Sequence, residues 1–366
     1  MDEKEQELYR TIAQLHAPDA QIEKEVRQCW DRKAKPLGGM GQLEGMVAQL
    51  GAILGTAHPQ VRKRCVVVMA ADNGVAAEGV SQTDHQVTSK VTANMVHGKA
   101  SVSILARLNH ADVFPVDIGM QDDLEEPGIW NRKIRSGTFD MAKGPAMSRQ
   151  EVVRAIWTGI EVIEELAKEG YDLFATGEMG IGNTTTSSAV ASVLLNLPVE
   201  EVTGRGAGLS DEGFSRKKAV IRQAIDLNQP NKDDILDVLA KIGGLDLAGL
   251  TGCFIGAAYV QKPILLDGFI SSVAALAATL LAPVSRDYMF PSHVSAEPGG
   301  KRVLEALHME ACIHAGMCLG EGTGAVTAFH LFDTALAIYD QLPEFEETGI
   351  EAYQHYEKTG DGRLHG

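Results

Sequence analysis

Two glutamates, each set among glycines, are the residues of this chain best suited to chemistry. Glu178 lies in Thr176-Gly177-Glu178-Met179-Gly180-Ile181-Gly182-Asn183-Thr184-Thr185-Thr186, and Glu321 lies in Leu319-Gly320-Glu321-Gly322-Thr323-Gly324. Glycine lets a backbone turn tightly and approach a ligand closely. The first run follows a strand-like segment at 171–175 and opens a segment of helical character at 185–195, with Asn183 or Thr184 as the expected cap. Free N–H groups at such a helix start suit an anion, above all a phosphate. Glu321 sits among small apolar residues, where desolvation pushes a carboxyl toward the range of a general base. Phosphate-binding geometry beside a carboxylate points to an enzyme acting on a phosphorylated small molecule. The plainer alternatives are a glycine turn that packs a helix on a sheet and a glutamate that only complements a helix dipole.

A second glycine-rich loop, Gly204-Arg205-Gly206-Ala207-Gly208, lies close behind, and Arg216, Lys217 and Lys218 are expected to start the next helix. Cations there oppose the macrodipole, and a bound phosphate would relieve the conflict. Arg286-Asp287 and the run Ser292-His293-Val294-Ser295-Ala296-Glu297-Pro298-Gly299 allow a Ser/His/Asp triad on paper. No G-x-S-x-G elbow supports one, and no His pair has metal-ligand spacing.

These loops need a scaffold. Short apolar runs at 65–71, 111–119, 172–177, 263–268 and 288–290 read as strands, with helical segments at 87–108, 148–168 and 215–224 between them. Alternation of this kind predicts an α/β fold, a Rossmann-like and mostly parallel sheet with helices on both faces. Residues 1–60 read as helical around a Lys35–Gly41 turn, and 325–339 reads as a further helix. The uncharged run 268–284 reads as a buried helix rather than a membrane span. The tail at 359–366 reads as loosely held.

Composition narrows the function. The 366 residues are 45% hydrophobic and 22% charged, the balance of a globular protein. A net charge of −16 argues against nucleic acid and anionic membrane as partners. Five scattered cysteines without C-x-x-C pairs fit a reducing cytoplasm, and residues 1–9 lack the apolar core of a signal peptide.

Taken together, these segments resemble the nicotinate-nucleotide–dimethylbenzimidazole phosphoribosyltransferases of cobamide lower-ligand assembly. The likeness runs through Lys35-Pro36-Leu37-Gly38 with Gly41-Gln42-Leu43-Glu44, the 71–81 loop, 177–185, 204–208, Asp267-Gly268-Phe269, 292–299 and 319–324. The resemblance implies transfer of phosphoribosyl from nicotinate mononucleotide to an aromatic base, with release of nicotinate. It implies a large catalytic domain over 64–330, a small helical domain from 1–63 and 331–366, a homodimer, and neither cofactor nor metal. Glu321 matches the family's general base. Glu178, Gly180, Gly182, Asn183, Thr184 and Thr185 match the part that holds the nucleotide. Lys217 matches a phosphate-binding lysine, and Gly204, Arg205, Gly206, Ser295, Glu297 and Gly320 complete the expected substrate site. Ser81, His85 and Gln86 fall where the incoming base is contacted. Three positions depart from the usual pattern: Asn73 and Gly300 stand where His is common, and His85 where Gln is common. A different benzimidazole, a purine or a phenol as acceptor therefore stays open. So does a heterodimer with a paralogue, or a nucleotide-binding partner subunit without turnover.

Overall fold

The computed structural model describes residues 2–355, so the expectation for 359–366 lies outside the described residues. Six strands form one sheet: β1 (Arg64–Ala71), β2 (Ala111–Gly119), β3 (Trp130–Asn131), β4 (Leu173–Met179), β5 (Ile264–Leu266) and β6 (Met289–Pro291). Their order is β3-β2-β1-β4-β5-β6, and every neighbouring pair is parallel. A parallel sheet covered on both faces needs strands that are apolar on both sides. β1 meets that need, with Cys65 through Ala71 fully buried. The apolar runs of the sequence locate five of these strands. The sixth, β3, has two residues and is too short to show a pattern.

The topology explains where a ligand can sit. From β1 the chain moves outward to β2 and β3, then returns to lay β4 on the other side of β1. The loops after β1 and β4 therefore diverge at the carboxyl ends of adjacent strands, the position where open α/β sheets form a ligand crevice. Asp72-Asn73 follows β1, and Gly180-Ile181-Gly182 follows β4.

The helices depart from expectation in instructive places. The segment 87–108 is two helices, Gln86–Val96 and Ser101–Leu108, parted at Gly98 with φ +69°. The Leu245–Tyr259 helix, which packs against Arg149–Lys168, has no counterpart among the sequence-based expectations. It is buried on nearly every side, so it carries no amphipathic period to read. The 268–284 run is the buried helix Phe269–Leu281. Among the described residues no helix is long and apolar enough to cross a membrane.

Two compact units divide the chain. One comprises the chain up to Pro18 with Val61–His330, the other Asp19–Gln60 with the chain from Leu331 onward. The first helix, Glu3–Ile12, thus belongs to the larger unit rather than the smaller one expected from sequence. Leu8 is fully buried in the large core, Glu5 pairs with Arg149 at 2.7 Å, and Tyr288 donates to the His16 carbonyl at 2.8 Å. In the smaller unit, Trp30 and Tyr339 pack edge to face over a core that includes Val26, Val47 and Ala335.

Candidate active site

A cavity of about 320 Å³ opens at the β1/β4 switch point, within the larger unit. Its wall includes Ser81, Glu178, Gly180, Gly182, Asn183, Thr184, Gly206, Ser295, Glu297, Gly320 and Glu321, so both glutamate loops meet in one site. A Cβ added to Gly320 would collide with Glu178 Oε1, and one added to Gly177 would collide with the Glu321 carbonyl. The two loops can touch only because those positions are glycine.

Glu178 belongs to β4 rather than to the loop after it. It is 7% exposed, and burial, reinforced by Asp246 and Asp267, pushes its carboxyl up to about 8. Its Oε2 accepts from the Asn183 side-chain amide. The helix Asn183–Leu195 is not capped by Asn183 or Thr184: Gly182, at φ +94°, is the cap residue. Asn183 is released from capping and ties the helix start to Glu178.

Glu321 sits at φ +62°, between Gly320 at +89° and Gly322 at +93°. It precedes the Thr323–Gln341 helix but does not serve that helix's dipole. Its Oε2 accepts from the Val102 amide at 3.1 Å, in the first turn of Ser101–Leu108. Burial raises its pKa, while the Val102 and Ser101 amides pull it back. The outcome is a half-buried carboxyl with a raised pKa in the cavity wall.

Lys217 is fully buried, and it lies mid-helix in Asp211–Asn228 instead of starting a helix. The true helix start is acidic, with Asp211 and Glu212 behind a Ser210 cap, so the dipole argument for this triplet falls. Burial lowers the Lys217 pKa to about 8. Its ammonium donates to Thr184 Oγ1 at 2.9 Å, just behind the cavity wall. Gly206 N–H donates to Glu297 Oε1 at 3.1 Å, while Glu297 Oε2 and the Thr185 hydroxyl have no partner among the described residues. The Lys217 ammonium and the Thr184 hydroxyl are the groups of this corner whose chemistry suits an anion.

Several expected residues stay away from the cavity. His85 faces Asp122 at 3.8 Å, and the Gln86 side chain accepts from Lys90. Arg205 turns to Asp211 and the Leu209 carbonyl. Gly204 lies behind Glu297, where a Cβ would clash. Of the paper triad, the buried Ser292 hydroxyl does meet His293 Nδ1 at 3.0 Å and also bonds the Asp267 carbonyl, but Asp287 pairs at 3.8 Å with Arg286, whose guanidinium holds the Leu307 and His308 carbonyls. Conversely, Gln82 and Asp267 line the cavity, although the sequence does not single them out as site residues, and so does His293, which the sequence offers only for the triad or as a metal ligand. Asp267 carries a readable signal, an acid immediately after a strand and before glycine. Among the described residues no group of three His, Cys, Asp or Glu side chains is arranged to hold a metal.

A family model described as "Phosphoribosyltransferase" matches residues 15–350. The chain is 50% identical over 329 residues to the nicotinate-nucleotide–dimethylbenzimidazole phosphoribosyltransferase of Acetivibrio thermocellus, covering 90% of this chain and 94% of that protein. It is equally 50% identical, over 327 residues, to the protein of that name from Ruminiclostridium cellulolyticum, with 89% and 93% covered. The crystal structure of CobT from Thermus thermophilus superposes with a TM-score of 0.87 at 37% identity, over 90% of this chain and 99% of that one. The family model, the relatives and the fold make this chain a phosphoribosyltransferase. The chain belongs to the nicotinate-nucleotide–dimethylbenzimidazole phosphoribosyltransferase family.

Proposed function

We propose that this protein transfers the 5-phosphoribosyl group of nicotinate mononucleotide to a lower-ligand base such as 5,6-dimethylbenzimidazole, in cobamide biosynthesis. The observation that carries the reading is the meeting of Glu321, Glu178 and the Lys217–Thr184 anion corner at one cavity. The donor phosphate sits against the loop 180–185, Gly206 and Lys217. The base nitrogen attacks C1′ from the face opposite nicotinate, forming the new C1′–N bond as the C1′–pyridinium bond breaks. The bonding pair returns to the pyridine nitrogen, which leaves neutral and needs no acid. The proton of the attacking N–H passes to Glu321, and the configuration inverts from β to α. Glu178, held neutral by burial, donates a hydrogen bond toward the nucleotide instead of adding another negative charge beside it.

Ser81 and the neighbouring Gln82 and Val87 on the cavity wall support an acceptor side distinct from the donor corner. The enzyme is read as a cytoplasmic homodimer, consistent with the family resemblance. Incubating the purified chain with nicotinate mononucleotide and a panel of benzimidazoles, purines and phenols tests the whole reading. Nicotinate release with dimethylbenzimidazole is the expected result. Failure to release nicotinate with every acceptor would move the chain to the role of a non-catalytic partner subunit.

A further inference from the structure

Asp267 follows β5 directly, and its carboxylate does something the reaction as written does not require. Its Oδ1 accepts from the Gly324 amide at 2.7 Å and the Ala325 amide at 3.1 Å, and its Oδ2 accepts from the Gly322 amide at 3.1 Å. These are orphan donors at the start of the Thr323–Gln341 helix, which a residue within the segment would ordinarily cap. Here the cap comes from a different strand, more than fifty positions earlier in the chain. The segment it grips is the run of three left-handed residues Gly320-Glu321-Gly322. A glutamate in that conformation is strained, and it persists only where surroundings over-determine it. Three amide donors on the two oxygens of one carboxyl supply that constraint.

We propose that Asp267 is the positioning residue for Glu321: by capping the amides of Gly322, Gly324 and Ala325 it fixes the left-handed backbone from which the Glu321 carboxylate reaches the cavity. The inference rests on the reading of Glu321 as the base. Asp267 is itself 3% exposed; burial pushes its pKa up, and His293 with the Ala325, Gly322 and Gly324 amides pulls part of the way back. The carboxylates in reach of Glu321 are Asp267 and Glu178, and the Ser101 and Val102 amides face it from the opposite helix.

Asp267→Asn keeps a capping oxygen but loses the charge and one acceptor. Expected results are donor affinity unchanged in calorimetry and kcat lower by about 100-fold, the scale of a one-ångström misplacement. The ascending limb of the kcat/KM pH profile should move to lower pH, because a negative neighbour of Glu321 has gone. A purely structural defect would not move that limb. In addition, the Asp267→Asn/Glu321→Gln double variant should turn over no more slowly than Glu321→Gln alone. A folded Asp267→Asn with wild-type kcat, or an additive double variant, overturns the positioning role while leaving Glu321 as base. Wild-type turnover in Glu321→Gln removes the base assignment itself, and the positioning role with it. Hydrogen exchange on the wild-type chain needs no variant to fold: unprotected Gly322, Gly324 and Ala325 amides would also overturn the cap.

Discussion

The carboxyl end of β4 and the segment before the Thr323–Gln341 helix present the same side chain to the same cavity in different surroundings. Glu178 is the penultimate residue of a strand, deep in the sheet, with two further carboxylates in its field. Glu321 is half-buried, on a strained backbone, with a helix N-terminus against its carboxylate. Burial, reinforced by Asp246 and Asp267, raises the Glu178 pKa to about 8 and so keeps its proton on at neutral pH. For Glu321, two amides work against burial. Two glutamates can therefore divide the work of donor binding and proton removal without differing in chemistry, because their surroundings separate their proton affinities.

The largest test of that division is Glu321→Gln, which keeps the shape and removes the base. It should cost about 10²–10⁴-fold in kcat with donor affinity retained, measured as nicotinate release beside calorimetric titration of the mononucleotide. Lys217→Ala, on the Glu178 side, should behave in the opposite way. Donor KM should rise about 10- to 100-fold, the loss of one hydrogen bond to a charged group, while kcat at saturation holds. If Lys217→Ala affected kcat and spared KM, the donor and acceptor sides would have to be exchanged.

A smaller effect comes from pH. With Lys217 at about 8, its charge is lost as pH rises through that value, so donor KM should climb above pH 8 in the wild type. The subtlest effect concerns stability. Glu178 ionises near 4.5 when unfolded and near 8 when folded, so across that window the native state holds the extra proton. The stability it contributes is full below pH 4.5 and is lost as pH rises to about 8. Glu178→Gln cannot ionise, so its Tm should fall less than the wild type's across this window. Parallel Tm curves would mean that Glu178 titrates as an ordinary carboxylate and that the two glutamates are not distinguished by burial.

What can be read from sequence follows from local signals. β1, β2 and β4 announce themselves because strands buried on both faces are continuous apolar runs. The glycines around Glu178 and Glu321 are legible because only glycine serves where two backbones converge. What escapes reading is non-local. Lys217 looks in sequence like part of a surface cluster, yet Arg216 pairs outward with Glu212 while Lys217 turns inward to Thr184. The start of that helix is hidden because Ser210-Asp211-Glu212, its cap and acidic first turn, continues a glycine-rich stretch that reads as loop. Asp267 looks like one strand-end acid among several until the fold brings the Gly322 amide onto it. His85 stands in the expected stretch but faces Asp122, a partner that no local pattern reveals.

The all-parallel order of the sheet has a consequence in time as well as in space. Glu178 and Glu321 are roughly 140 residues apart in the chain, and neighbouring parallel strands must be joined by long crossovers, which makes such pairing slow to form. The loop carrying Glu321 reaches Glu178 only once β4 and β5 are side by side and Asp267 is at hand to receive it. The meeting of the two proposed catalytic glutamates therefore depends on the slow pairings of the sheet. During refolding from denaturant, helical signal should return first, and the ability to release nicotinate should trail it.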